Sequence, residues 1–300
     1  MDFGKLPQGE LDKVDFTLPP EPPLNKAVLP GVRAAVPKVY MGGTQWGIKE
    51  WVGTLYPKGT AQTKYLDEYV KQFNTVELNA THYKIYPPET VRKWAAKTAG
   101  SGFRFCPKLF QEISHAQQLS GHEDLLYAFA ESVAAFEDHL GPLFMQLPER
   151  FGREREAELY GFLESLPEGL PFFAEVRHPA WFQEPQRTRL FRTLHDLRIG
   201  AVITDTAGRR DACHMYLPVR KAFIRFVANG LHPTDFSRVD AWADRLQHWL
   251  NNGLEEVYFF LHMPDEATVP QLSRYVVERL NAVCGAELQP PVWHQPPELF

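Results

Sequence analysis

A chain of 300 residues with 44% apolar side chains can bury a large core, and its net charge of −5 supplies no global basic field to draw it to nucleic acid or a membrane surface. Cys106, Cys213 and Cys284 are widely separated, odd in number and outside any CxxC, which argues against a disulfide framework or a structural zinc site and fits a reducing cytoplasm. No apolar run is long enough to span a bilayer, and the first residues lack a signal-peptide pattern.

In chain order, residues 1–37 carry seven prolines and little periodicity. They read as a proline-rich arm that wraps the surface or is partly disordered, ahead of a single domain over 38–300. From Lys38 onward short apolar runs alternate with helical patterns. The runs are Val39–Thr44, Thr75–Asn79, Phe103–Lys108, Leu143–Leu147, Phe172–Arg177, Ala201–Thr204, Phe223–Phe226 and Val257–His262. Between them lie stripes at helical spacing, such as Tyr65, Leu66, Tyr69, Val70 and Phe73, or Val239, Trp242, Leu246, Trp249 and Leu250. Pro87-Pro88 marks a helix start, and Ala207–Arg220 has room only for a short or irregular helix.

Eight strands alternating with helices predict an α/β protein built as a single (β/α)8 TIM-type barrel, with an open doubly wound sheet as the rival. Closure is favoured by the polar residues near the strand C-terminal ends: Thr44, Glu77, Asn79, Lys108, Gln146, Glu175, Arg177, Asp205, Arg225 and His262. An open sheet would concentrate them near a switch point, whereas a mouth draws one from nearly every strand.

Thr75, Glu77 and Asn79 share one strand face and Val76 and Leu78 the other, so a carboxylate and a carboxamide point inward and need partners or a ligand. Glu175 and Arg177 also share a face; they either pair with each other or form an acid and an anion clamp at the mouth. His178 is either a proton carrier or an ordinary loop residue. Trp46, Trp51 and Tyr56 are either flat platforms for a ring or apolar plugs. Lys108, Arg177, Arg225 and Arg209-Arg210 put positive charge around one rim, suited to phosphate or carboxylate oxygens. A divalent metal held by Glu77, Glu175, Asp205, His178 and His262 is an alternative without HExxH or HxH support, and no cofactor is predicted. GxGxxG, P-loop and GxSxG signatures are absent.

Several of these stretches resemble one family. Gly42-Gly43-Thr44-Gln45-Trp46 with Trp51-Val52-Gly53-Thr54-Leu55-Tyr56-Pro57 resembles its "GTSGW…W.G.FYP" opening, and Phe73–Asn79 with Thr81-His82-Tyr83 its "FNTVEIN.TFY". Phe103–Lys108 with Ile113-Ser114-His115, Phe144–Pro148 and Glu175–Phe182 are similar to its "F.F..K", "FQLP" and "EFRH.SWF" segments. The family is domain-of-unknown-function family 72, also called YecE-like, and the resemblance covers roughly residues 38–284. It implies a TIM-type barrel without an established reaction, and it places Trp46, Tyr56, Glu77, Lys108, Gln146, Glu175, Arg177, Asp205 and Arg225 at the mouth. Phe260–Pro264 and Val227–Gly230 depart from the family pattern, as in a divergent branch.

The expected function is an enzyme acting on a phosphate-bearing sugar or nucleotide. Glu77 and Glu175 would be general base and acid, and Asp205 would orient a base or a substrate hydroxyl. Lys108, Arg177 and Arg225 would hold oxyanion charge, Trp46 and Tyr56 would stack on the ring, and Asn79, Gln146 and His178 would complete the contacts. A two-carboxylate glycosidase is a variant of this reading. The alternative is a module that binds a sugar, a nucleotide or single-stranded nucleic acid without turnover; a membrane partner is not expected, and the sequence leaves the oligomeric state open.

Overall fold

The computed structural model describes residues 3–33 and 37–294. The ends of the expected arm and domain, residues 1–2, 34–36 and 295–300, lie outside the described residues. All eight expected strands form: β1 Lys38–Gly42, β2 Thr75–Leu78, β3 Arg104–Pro107, β4 Leu143–Gln146, β5 Phe172–Glu175, β6 Gly200–Asp205, β7 Lys221–Val227 and β8 Glu256–His262. The principal helices between them are α1 Pro23–Val28, α2 Tyr65–Tyr69, α3 Ala80–Tyr83, α4 Pro88–Ala96, α5 Gln111–Ser114, α6 Glu123–Ala134, α7 Glu156–Glu164, α8 Gln186–Asp196, α9 Pro233–Asn251 and α10 Val269–Cys284. Ala207–Arg220 holds only a 3-10 turn at Arg210–Ala212, because polar and glycine residues break the apolar spacing a longer helix needs. Among the described residues no helix is long and apolar enough to cross a membrane, and the three cysteines are free and buried.

The strands are parallel and pair as a six-stranded sheet, β1-β8-β7-β6-β5-β4, and a separate pair, β2-β3. The expected uninterrupted ladder of eight is therefore broken among the described residues at two seams. At the β3/β4 seam, isolated bridges join Phe105 to Leu140 and Lys108 to Phe144. At the β1/β2 seam one backbone bond remains, from the Glu77 N–H to the Gly43 carbonyl (3.0 Å), and side chains supply the rest. Asn74 Oδ1 accepts the Met41 N–H (2.8 Å) and its Nδ2 donates to the Val39 carbonyl (2.9 Å). The Tyr69 hydroxyl accepts from the Gly43 N–H (2.8 Å) and donates to the Thr75 carbonyl (3.0 Å). The approach is so close that a Cβ on Gly42 would lie 2.0 Å from the Thr75 carbonyl oxygen, which is why glycine ends β1. Asn74→Ala strips partners from two backbone groups at once, and about 2 kcal/mol of stability should go with them. Urea unfolding checks this, and a loss below about 0.5 kcal/mol would show that the stitch is dispensable.

Alternation along each strand sorts the side chains into two cores. Tyr40, Cys106, Phe144, Phe173, Val202, Phe223, Tyr258 and Phe260, from seven of the eight strands, pack together on one face. Their neighbours, including Met41, Phe105, Met145, Ile203, Ile224 and Phe259, join the larger core shared with the helices. The segment before β1 packs against this body through Phe3, Leu11, Val28 and Leu29, all buried. Asn25 anchors it by donating to the Met215 carbonyl (2.9 Å) and accepting from the Leu217 N–H (2.8 Å).

Candidate functional site

The face that carries the inner aromatic cluster turns polar one step further along the strands. Lys108, Gln146, Glu175, Thr204, Arg225 and His262 each stand two residues beyond a member of that cluster, on the same face. Glu77 of β2 stands two beyond Thr75, whose hydroxyl donates to the Arg104 carbonyl (2.8 Å). The result is a buried polar layer on top of an apolar one, at the C-terminal ends of the strands.

Arg225 is its hub. Nε and Nη2 donate to the two oxygens of Glu77, both at 2.9 Å, in a bidentate pair. Nη1 donates to Glu175 Oε2 (2.6 Å) and Gln146 Oε1 (3.3 Å). Glu77 also accepts from Asn79 Nδ2 (2.9 Å) and His262 Nε2 (3.0 Å). Glu175 Oε1 accepts from Arg177 Nε (2.8 Å) and Thr204 Oγ1 (3.0 Å). Lys108 Nζ donates to Gln146 Oε1 (3.2 Å). Glu77, Asn79, Lys108, Gln146, Glu175, Arg177 and Arg225 thus come together as the sequence suggests. Asn79 does so from the turn that opens α3, because β2 ends at Leu78.

The electrostatics separate these groups. Burial works to raise the Glu77 and Glu175 carboxyls, but the arginines overcome it. Arg225 holds Glu77 well below the usual carboxylate range, and Arg177 with Arg225 brings Glu175 down to about 2. The two carboxylates are therefore both ionised counterions of arginine, and the acid and base roles expected from a split in their pKa values are not supported. Burial pulls His262 below its ordinary value, so it donates to Glu77 as a neutral imidazole. Lys108 is 8% exposed and, among the described residues, forms no ion pair within 4.0 Å. Burial and then the Arg225 charge lower it to about 8, against the pull of Glu175 and Glu77.

Four expected site residues are placed elsewhere. Asp205 is on the opposite face of β6, because Val202 and Thr204 occupy the inner one. Its carboxylate accepts from Arg210 Nη1, Arg238 Nε (3.1 Å) and Trp242 Nε1 (2.8 Å), an ion cluster under α9 in which Arg238 and Arg210 keep its pKa low despite burial. Tyr56 is fully buried, donates to the Trp46 carbonyl (2.9 Å) and packs edge-on to Trp51, which leaves no face for a ligand. Trp46 is half-buried against Trp94 and Phe105 in the helix-side core, since Phe105 points away from the inner cluster. His178 caps the turn Pro179–Phe182, its Nδ1 accepting the Ala180 N–H (3.2 Å). With Asp205 and His178 so engaged, the five-residue metal set does not assemble, and no group of three His, Cys, Asp or Glu suited to a metal occurs among the described residues.

Other groups come to these strand ends beyond the expected site residues. Thr204 stands two residues beyond Val202 on the inner face of β6, a placement only the structure fixes. His82 and His115 meet edge to face at 5.0 Å, and burial followed by the Lys108 charge lowers each to about 4. Glu266, beyond β8, accepts from Thr44 Oγ1 (3.2 Å) while its Oε2 is buried without a partner among the described residues. Burial raises it to about 7. On the β5–β6 side, the Phe3 ring lies 4.3 Å from the Arg177 guanidinium and 4.9 Å from that of Arg209.

A parallel α/β scaffold with a buried, charged layer at the C-terminal ends of its strands is the class these features define. The chain belongs to the DUF72 family, "Protein of unknown function DUF72", whose model matches residues 40–296. UPF0759 protein YecE of Escherichia coli K12 is 31% identical over 262 residues, 81% of this chain and 93% of that protein. UPF0759 protein YunF of Bacillus subtilis 168 is 29% identical over 154 residues, 49% of this chain and 53% of that one. Among solved structures, a DUF72 family protein from Enterococcus faecalis V583 aligns with TM-score 0.65 at 18% identity, covering 87% of this chain and all of its own. One from Thermotoga maritima MSB8 aligns with TM-score 0.56 at 21% identity, covering 75% and 92%. At those identities the structures speak to the fold alone.

Proposed function

We propose that the polar layer is the mouth of a (β/α)8 barrel over residues 38–300, preceded by an arm over 1–37, and that it takes a small anionic ligand, a phosphate-bearing sugar or nucleotide. The observation that carries the reading is Lys108. Its ammonium is nearly buried, bonded to a neutral amide, and without a carboxylate in ion-pair range among the described residues. A buried charge in that state is completed by an anion. The inner cluster, fed by seven strands, supports the barrel as its frame.

In the enzymatic form of the reading, Lys108 stabilises oxyanion charge and the groups that exchange protons near neutrality are Lys108 and Glu266, not Glu77 and Glu175. Binding without turnover of a sugar, a nucleotide or single-stranded nucleic acid is the second reading, favoured by the commitment of both buried glutamates to guanidinium partners. A cytoplasmic location belongs to the reading and is supported by the three free, buried thiols.

Calorimetric titration with inorganic phosphate and ribose 5-phosphate tests it. Both should bind, and Lys108→Met should weaken them by about tenfold or more, the scale of a charge-assisted hydrogen bond. Affinity should fall as the pH rises through about 8, where Lys108 loses its proton. Around it, His82 and His115 stay neutral, Glu77 and Glu175 stay ionised, and Arg177 and Arg225 stay charged over that range. Phosphate compounds that fail to bind, or bind Lys108→Met equally well, would remove the anion site. A hydrolysis screen over phosphate esters and glycosides then separates enzyme from binding module.

A further inference from the structure

The expected stacking platforms, Trp46 and Tyr56, are packed away, yet the short helix after β2 carries an exposed aromatic ring, Tyr83. Thr81 Oγ1 donates to the Lys108 carbonyl (2.8 Å), which pins α3 to the end of β3. His82, next along, is fixed by its Nδ1–H donating to the Leu109 carbonyl (2.8 Å). The His82 ring meets His115 at 5.0 Å and Tyr83 at 5.1 Å, each edge to face. Tyr83 ends this run and is 69% exposed. The edge-to-face contact with a fixed imidazole orients the tyrosine, and its 69% exposure leaves ring surface open to solvent. The short helix bonded to the Lys108 backbone thus ends in an exposed flat ring.

We propose that the ligand of the anion site is a nucleotide, its phosphate at Lys108 and its base stacked on Tyr83. This rests on the reading of Lys108 given above. The chemistry is that of a charged group joined by a short polar spacer to a planar ring; a sugar phosphate has the first and lacks the last.

The test compares AMP with ribose 5-phosphate by calorimetry on the full chain, in the unaltered protein and in Tyr83→Ala, Tyr83→Phe and Lys108→Met. Stacking on one aromatic side chain should make AMP bind about tenfold or more tighter. Tyr83→Ala should erase that margin and leave ribose 5-phosphate unchanged, Tyr83→Phe should keep it, and Lys108→Met should weaken both ligands. Equal affinities for the two compounds, or a preference for AMP that survives Tyr83→Ala, would overturn the nucleotide assignment while the anion site stands. Failure of both compounds to bind would remove the anion site and this inference with it. Because Tyr83 is exposed, its variants should melt with the unaltered protein, so a lost margin reports on binding.

Discussion

Arg225→Met should destabilise the fold by about 3–5 kcal/mol at neutral pH, the range for removing one partner of a buried ion pair. The guanidinium is 2% exposed and holds both Glu77 and Glu175. Methionine fills much of the volume and leaves two carboxylates in a dry site, with Arg177, Asn79, Thr204 and His262 bonded to them and the Lys108 charge near by. The pH dependence identifies the cause. In the unaltered protein Glu175 has a folded pKa of about 2 against an ordinary 4.5. Its stabilising contribution is complete above 4.5 and is lost as the pH falls toward 2. In Arg225→Met the burial that raises Glu77 loses its largest opponent, whereas Arg177 still holds Glu175 down, so stability should rise as Glu77 protonates on mild acidification. Urea midpoints at pH 7 and pH 5 measure both effects. A loss under about 1 kcal/mol at pH 7 would mean that the layer is not tied through Arg225.

Asp205→Asn should bring a loss of about 3 kcal/mol without touching the anion site. Asp205 is fully buried and serves Arg210, Arg238 and Trp242; the amide leaves Arg238, 1% exposed, beside a single remaining carboxylate, Asp235, at 3.3 Å. Affinity for phosphate or ribose 5-phosphate should stay within about twofold, because the side chain is on the far face of β6 and RT sets such a ratio below half a kcal/mol. An unchanged melting temperature with lost ligand binding would return Asp205 to the mouth.

Both outcomes turn on strand parity, and parity shows what was legible. The alternation in Thr75–Asn79 and in Phe173, Glu175 and Arg177 places Glu77, Glu175 and Arg177 correctly, because each strand's apolar half is easy to recognise. In Gly200–Asp205 nearly every side chain is apolar or small, so the pattern carries no phase; Asp205, expected at the mouth, lies within β6 on the opposite face, and Thr204 lies on the inner one. Trp46 and Tyr56 illustrate a different difficulty: a loop aromatic carries no periodicity, and whether it is covered depends on distant partners such as Trp94 and Tyr65. The reverse holds for Tyr83 and Glu266, whose exposure and desolvation come from how α3 and the turn beyond β8 settle on the strand ends. The eight strands were readable one by one. The two seams between them were not, since the stitch at Asn74 depends on which strand lies alongside.

The β2-β3 pair has a mechanical consequence. It is a small plate, laced to the larger sheet by Asn74, Tyr69, two isolated bridges and the fork of Arg225 on Glu77. Glu77, Lys108, His82 and Tyr83 all ride on that plate or on the chain directly after its strands, while Gln146, Glu175 and Arg225 belong to the frame. Lys108 Nζ on Gln146 Oε1 (3.2 Å) and His262 Nε2 on Glu77 (3.0 Å) span the same two bodies as the Arg225 fork, so the polar layer itself acts as the fastener between plate and frame.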